Sequence, residues 1–178
     1  EMALQAQTAP VPGAGNRAIT TAMAGSASPP LIDLPGLLLI GAAGRNAGKT
    51  TLATQLIARF RERFPVVGAK AATVHGHRVA CPRGEEGCGV CEALEGPYRL
   101  TRELGELAGK DTTRLLEAGA DPVWWLVVRE GHLGEAAQDL AGRLGPESMT
   151  ICESNSLRQV IRPGLFVILQ RADGDKVK

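Results

Sequence analysis

Aromatic residues are scarce, three phenylalanines, two tryptophans and one tyrosine in 178 residues. Nothing therefore suggests a row of rings on which bases of single-stranded nucleic acid would stack. Charge of one sign is also missing: basic and acidic side chains balance to a formal net charge of +1, which gives no sign of a nucleic-acid or acidic-membrane partner. No apolar run approaches the roughly 20 residues of a membrane-spanning helix. No basic region leads into an apolar core near the start, so no signal peptide is read and a cytoplasmic location is expected. Only four cysteines are present, and three of them fall within eleven residues, a crowding that argues for metal or redox chemistry rather than disulfide staples.

What remains is an ordinary globular composition, 44% hydrophobic and 22% charged, in a length that suits one domain. Residues 1–34 read as a flexible N-terminal arm, because Ala9–Gly15 and Gly25–Pro30 are small, Pro-rich and uncharged. Residues 35–178 read as the folded domain. The polar end, Gly174–Lys178, looks like an interrupted chain.

The most informative stretch runs from Leu37 to Thr51. An apolar run ends in small residues, turns through Gly44, Arg45, Asn46, Ala47 and Gly48, and opens an amphipathic segment at Lys49–Thr50–Thr51. This is the order strand, tight loop, helix. Gly48–Lys49–Thr50 completes a phosphate-binding loop whose first position is Ala43 rather than glycine. In such a loop backbone N–H groups wrap phosphate oxygens and the helix dipole faces the same charge. Lys49 would reach the β- and γ-phosphates, and the Thr50 hydroxyl would ligate magnesium.

Beyond it, Leu52, Leu56 and Phe60 recur at i+4 in a helix that Pro65 stops. Val66–Val74 reads as a buried strand. From Tyr98 to Ala118 the helical period returns in two pieces, separated by Gly109–Lys110–Asp111. Pro122–Val128 is a third strand, His132–Leu144 a helix, Met149–Cys152 a short strand, and Leu165–Leu169 the last strand. Alternating strands and helices predict an α/β fold with a mainly parallel sheet flanked by helices, and a site at the carboxyl ends of its strands.

Residues 75–97 interrupt this order with glycine, proline, histidine and the spacing C-x6-C-x2-C of Cys81, Cys88 and Cys91. A loop of this length needs its own source of order. Three thiolates with His77 as the nearest fourth ligand match a tetrahedral zinc site, with His75 behind it and Cys152 as a distant alternative. An iron–sulfur cluster is the other thiolate chemistry open to it. Two acids suit a magnesium or water-positioning role: Glu153, after the Met149–Cys152 strand, and Asp111, which is equally suited to capping a helix. Arg129 follows a strand as well, placed either to meet phosphate or to face solvent. After the last strand, Gln170–Arg171–Ala172–Asp173 stands where guanine-binding proteins carry Asn-Lys-x-Asp, and only Asp173 is retained.

Several of these stretches occur in an order that resembles the molybdopterin-guanine dinucleotide biosynthesis protein B family. They are Gly48–Lys49–Thr50–Thr51–Leu52, Val67–Gly68–Ala69–Lys70, Gly109–Lys110–Asp111–Thr112 and Glu117–Ala118–Gly119–Ala120. The resemblance covers about half of the chain, and the Cys-rich insertion departs from it. It implies a P-loop NTPase fold, GTP or ATP with Mg2+ at the loop, a role assisting molybdenum cofactor maturation, and a homodimer. The residues themselves suggest slow hydrolysis with Lys49, Asp111 and Glu153 as the catalytic groups, in molybdenum or other metal-cofactor assembly beside a maturation partner. Two alternatives share the nucleotide site: a metallochaperone carrying metal on the Cys/His loop, and a nucleotide-gated interaction module. A small-molecule kinase is the remaining enzyme option, but the sequence names no acceptor pocket.

Overall fold

A computed structural model describes residues 30–44, 46–74, 94–105, 109–145 and 148–171. Among these described residues nine elements follow in order: β1 (Ile32–Ala42), α1 (Lys49–Phe60), β2 (Val66–Val74), β3 (Tyr98–Arg102), α2 (Asp111–Glu117), β4 (Val123–Arg129), α3 (Leu133–Leu144), β5 (Met149–Glu153) and β6 (Ile161–Leu169). Single 3-10 turns lie at Glu130–His132 and Leu157–Gln159. The strands form one sheet in the order β3-β4-β2-β5-β1-β6. Every pairing is parallel except β3 with β4.

Alternation along the strands sorts side chains between two buried layers. Leu37, Leu39, Ala69, Leu126 and Cys152 join Ala136, Ala137, Leu140 and Leu144 of α3 on one face. Ile40, Val66, Val123 and Ile151 meet Ala53 and Ile57 of α1 and Leu115 of α2 on the other. The central strands are thus apolar on both sides, as parallel strands under helices must be. Gly68 is a packing requirement on the second face, since a Cβ there would stand 3.0 Å from Val123 and 3.1 Å from Ala120.

Four elements differ from expectation. Tyr98–Arg102 is an antiparallel strand, not the start of a helix. Its alternation decides: Tyr98 and Leu100 pack on the α3 layer, while Arg99 and Thr101 fall on the opposite face beside Trp125. The first helix ends at Phe60, and Arg61–Phe64 form a turn before Pro65. The last strand starts at Ile161 and passes through Pro163–Gly164, because β1 bulges opposite them between Leu34 and Leu38. β1 itself begins at Ile32, ahead of the expected domain start at 35.

Candidate functional site

The carboxyl ends of β1, β2 and β5 lie side by side, and one cross-strand row fixes what they present. Ile40 on β1 is opposite Glu153 on β5, Glu153 is opposite Lys70 on β2, and Lys70 is opposite Trp125 on β4. The row sits on the face that α1 and α2 cover.

The loop after β1 is tied at its base from both sides. Asn155 accepts from the Ala42 N–H at 2.9 Å and donates its amide to the Ala42 carbonyl at 3.2 Å. The Ala43 N–H donates to the Leu169 carbonyl at 2.9 Å. Farther along, Asn46 (φ 53°) and Gly48 (φ 88°) adopt left-handed backbone. Asparagine and glycine are the residues that tolerate it, and such turns let successive N–H groups face one concavity. α1 starts at once after Gly48, with no side-chain cap and no acidic residue in its first turn. Among the described residues no side chain caps this 12-residue helix, and the carboxylate nearest its start is Glu153, which meets the Thr50 hydroxyl.

Lys49 and Thr50 open that helix. Burial lowers the pKa of Lys49, Glu153 acts against this, and Lys70 reinforces it. The Thr50 hydroxyl donates to Glu153 Oε2 at 3.0 Å. Glu153 is only 2% exposed, and its Oε1 is buried with no hydrogen-bond partner. Burial raises its pKa; Lys70, Thr50 and Lys49 oppose that rise, and Asp111 adds to it.

Asp111 is the first residue of α2, and its carboxylate bonds Lys70 Nζ. The N-cap position belongs to Lys110 instead, so Asp111 acts through Lys70 rather than as a cap. Burial pushes its pKa up, but the Lys70 hydrogen bond and charge, with Thr50 and Arg114, prevail and hold the carboxyl below its usual range.

Of the expected residues, the structure thus gathers Lys49, Thr50, Asp111 and Glu153, with Gly44, Asn46, Ala47 and Gly48 forming the loop and Thr51 exposed on α1. Arg45, Asp173, His77, Cys81, Cys88 and Cys91 lie outside the described residues, as does most of the 75–97 segment. Cys152 is buried in the α3-side core, opposite Leu39 and Ala69, with its thiol pKa raised by burial. Arg129 donates to the Leu94 and Gly96 carbonyls at 3.1 and 3.0 Å.

Two members were not singled out as site residues from sequence. Lys70 did carry a signal, since a lone lysine on the helix-covered face of an otherwise apolar strand needs a partner. Asn155 carried none, because its bond to Ala42 spans 113 residues.

Among the described residues no three His, Cys, Asp or Glu side chains gather as a metal cage. Two carboxylates and one hydroxyl are what is present. Magnesium typically takes one or two carboxylates and completes its shell with water and substrate phosphates. The partnerless Glu153 Oε1 beside the Thr50 hydroxyl fits such an ion. No family model, curated protein or solved structure matches the chain.

Proposed function

We propose that the chain binds a magnesium–nucleoside triphosphate at the β1–α1 loop and hydrolyses it slowly, as a P-loop NTPase would. The observation that carries this is the Thr50–Glu153 pair at the uncapped start of α1, with Lys49 between the loop and two carboxylates. Loop amides and the α1 N-terminus would hold the phosphates, and Lys49 would neutralise charge at the β–γ bridge. Lys70, fixed by Asp111, stands one strand from Glu153 and supplies a second cation on the same row. Thr50 and Glu153 would hold Mg2+, with Asp111 acting through Lys70 on the neighbouring strand. Magnesium, when bound, supplies charge neutralisation across the phosphate oxygens.

The resemblance to the molybdopterin-guanine dinucleotide biosynthesis protein B family rests on these residues and supports a role in metal-cofactor assembly. Zinc on Cys81, Cys88, Cys91 and His77 belongs to the same proposal. Turnover of GTP and of ATP, followed as magnesium is titrated, tests the reading and shows which base is preferred. Thr50→Ala and Glu153→Gln should each lower turnover by about 100-fold, the size of effect that losing one preorganised electrostatic contact has. Turnover that ignores magnesium or survives both substitutions would overturn it.

A further inference from the structure

Lys70 stands in the middle of the row, between Glu153 on β5 and Trp125 on β4, and its ammonium bonds the Asp111 carboxylate. The pair is not sealed, since the Lys70 side chain is 22% exposed and that of Asp111 33%. Neighbouring strands lie about 4.8 Å apart, so β2, two strands from β1, sets Lys70 about 10 Å out from the loop. Besides burial, Lys70 helps lower the Lys49 pKa, so the two ammonium groups face one space. In a phosphate-binding loop the amides cradle the α- and β-phosphates and the lysine reaches the β and γ. A cation beyond that lysine, on the side away from the loop, meets the terminal phosphate. Such a group brings about two negative charges and three acceptor oxygens, against the single charge of Asp111. Asp111 opens α2 directly after Lys110, whose ammonium stands 5.5 Å from the Trp125 ring centroid. Arg114, one turn along α2, already acts on the Asp111 carboxylate and can keep it answered when Lys70 leaves.

We propose that Lys70 reads the γ-phosphate: it leaves Asp111 for the terminal phosphate of a bound triphosphate and stays on Asp111 when a diphosphate is bound. The site thereby separates the two nucleotides, and the start of α2 carries the difference to Lys110 and Trp125. Asp111 is a positioning residue for Lys70. This rests on the nucleotide reading of the site and adds the discrimination to it.

The full chain with magnesium is titrated with the β,γ-imido analogues of GTP and ATP and with GDP and ADP, followed by calorimetry and tryptophan fluorescence. For the base that binds, Lys70→Gln, which keeps a hydrogen-bond donor for Asp111, should cost the triphosphate analogue at least about tenfold in affinity and the diphosphate less than about twofold. Lys70→Arg, which keeps the charge, should retain the preference for the triphosphate. In the unmodified protein the triphosphate analogue should shift the emission of Trp125 and the diphosphate should not; Trp124 packs in the opposite, α3-side layer. Asp111→Asn should abolish that shift with the triphosphate analogue still bound. A purely structural ion pair would instead lower the melting temperature and both affinities alike in Lys70→Gln. That result, or the same emission shift with triphosphate and diphosphate, overturns the role of Lys70 and leaves the nucleotide site standing. Binding of none of the four nucleotides by the unmodified chain would sink the nucleotide reading and this role with it.

Discussion

Glu153 and Asp111 both flank Lys70 yet their pKa values shift in opposite directions, and the difference has consequences for stability. The folded-state pKa of Glu153 is raised, chiefly by burial, so its contribution is fully present below the ordinary carboxylate range and is lost as pH rises through the folded value. The pKa of Asp111 is lowered, so its contribution is present above that range and is lost as pH falls through the folded value. Glu153→Gln should therefore stabilise the magnesium-free protein at neutral pH by about 1 kcal/mol, a common gain when a function-bearing strain is removed. Urea denaturation at pH 5 and pH 8 checks it, since the gain must be larger at pH 8; a loss of stability at pH 8 would contradict the burial argument. Asn155→Ala removes both bonds to Ala42. It should cost about 1 kcal/mol of stability and weaken nucleotide binding, measurable together by melting with and without nucleotide. At this scale legibility followed distance along the chain. Lys49 and Thr50 were readable because the loop is contiguous. The Lys70–Asp111 pair spans 41 residues, and Thr50–Glu153 spans 103; each acid stood out as a candidate, but its partner is set by the sheet order.

Among the elements, β2, β4, α3 and β5 were readable because their apolar periods are uninterrupted and their ends carry glycine, proline or charge. β3 was not, since five residues of Tyr-Arg-Leu-Thr-Arg hold too few apolar positions to separate a period of two from 3.6. Its strand state comes from pairing with β4, a tertiary gain that local sequence does not announce. β6 was read only in its apolar second half, because Pro163 and Gly164 look like a breaker until the β1 bulge is seen. Gly164 is required there: a Cβ would lie 2.0 Å from the Pro35 carbonyl oxygen. Gly164→Ala should destabilise by about 1–3 kcal/mol, as overpacking against fixed backbone does, visible as a lower urea midpoint. An unchanged midpoint would show that the β1–β6 junction yields more easily than its geometry implies.

For the molecule as a whole, the order β2-β5-β1 brings the ends of three strands together, and two helices on one face complete the site. The α/β class and the use of the carboxyl edge follow from alternation of elements; the strand order does not, because parallel neighbours are not neighbours in sequence. The Cys-rich segment leaves β2 after Val74 and returns at Leu94, which packs with Val74, Val127 and Trp125. It therefore starts and ends beside the candidate site. If the cysteines hold zinc, Cys88→Ser/Cys91→Ser should release it, and elemental analysis of purified protein should fall from one zinc per chain to none. Equal metal content in the variant would remove the zinc proposal without touching the loop at Lys49.

The central claim is that Lys49, at the start of α1, belongs to a magnesium–nucleotide site, and isothermal titration with GTP and ATP in the presence of Mg2+ tests it most directly. One nucleotide should bind per chain, and Lys49→Ala should abolish that binding while leaving the melting transition of the nucleotide-free protein within a few degrees of the original. Equal binding by the Lys49→Ala protein, or no binding by the unmodified chain, would contradict the account.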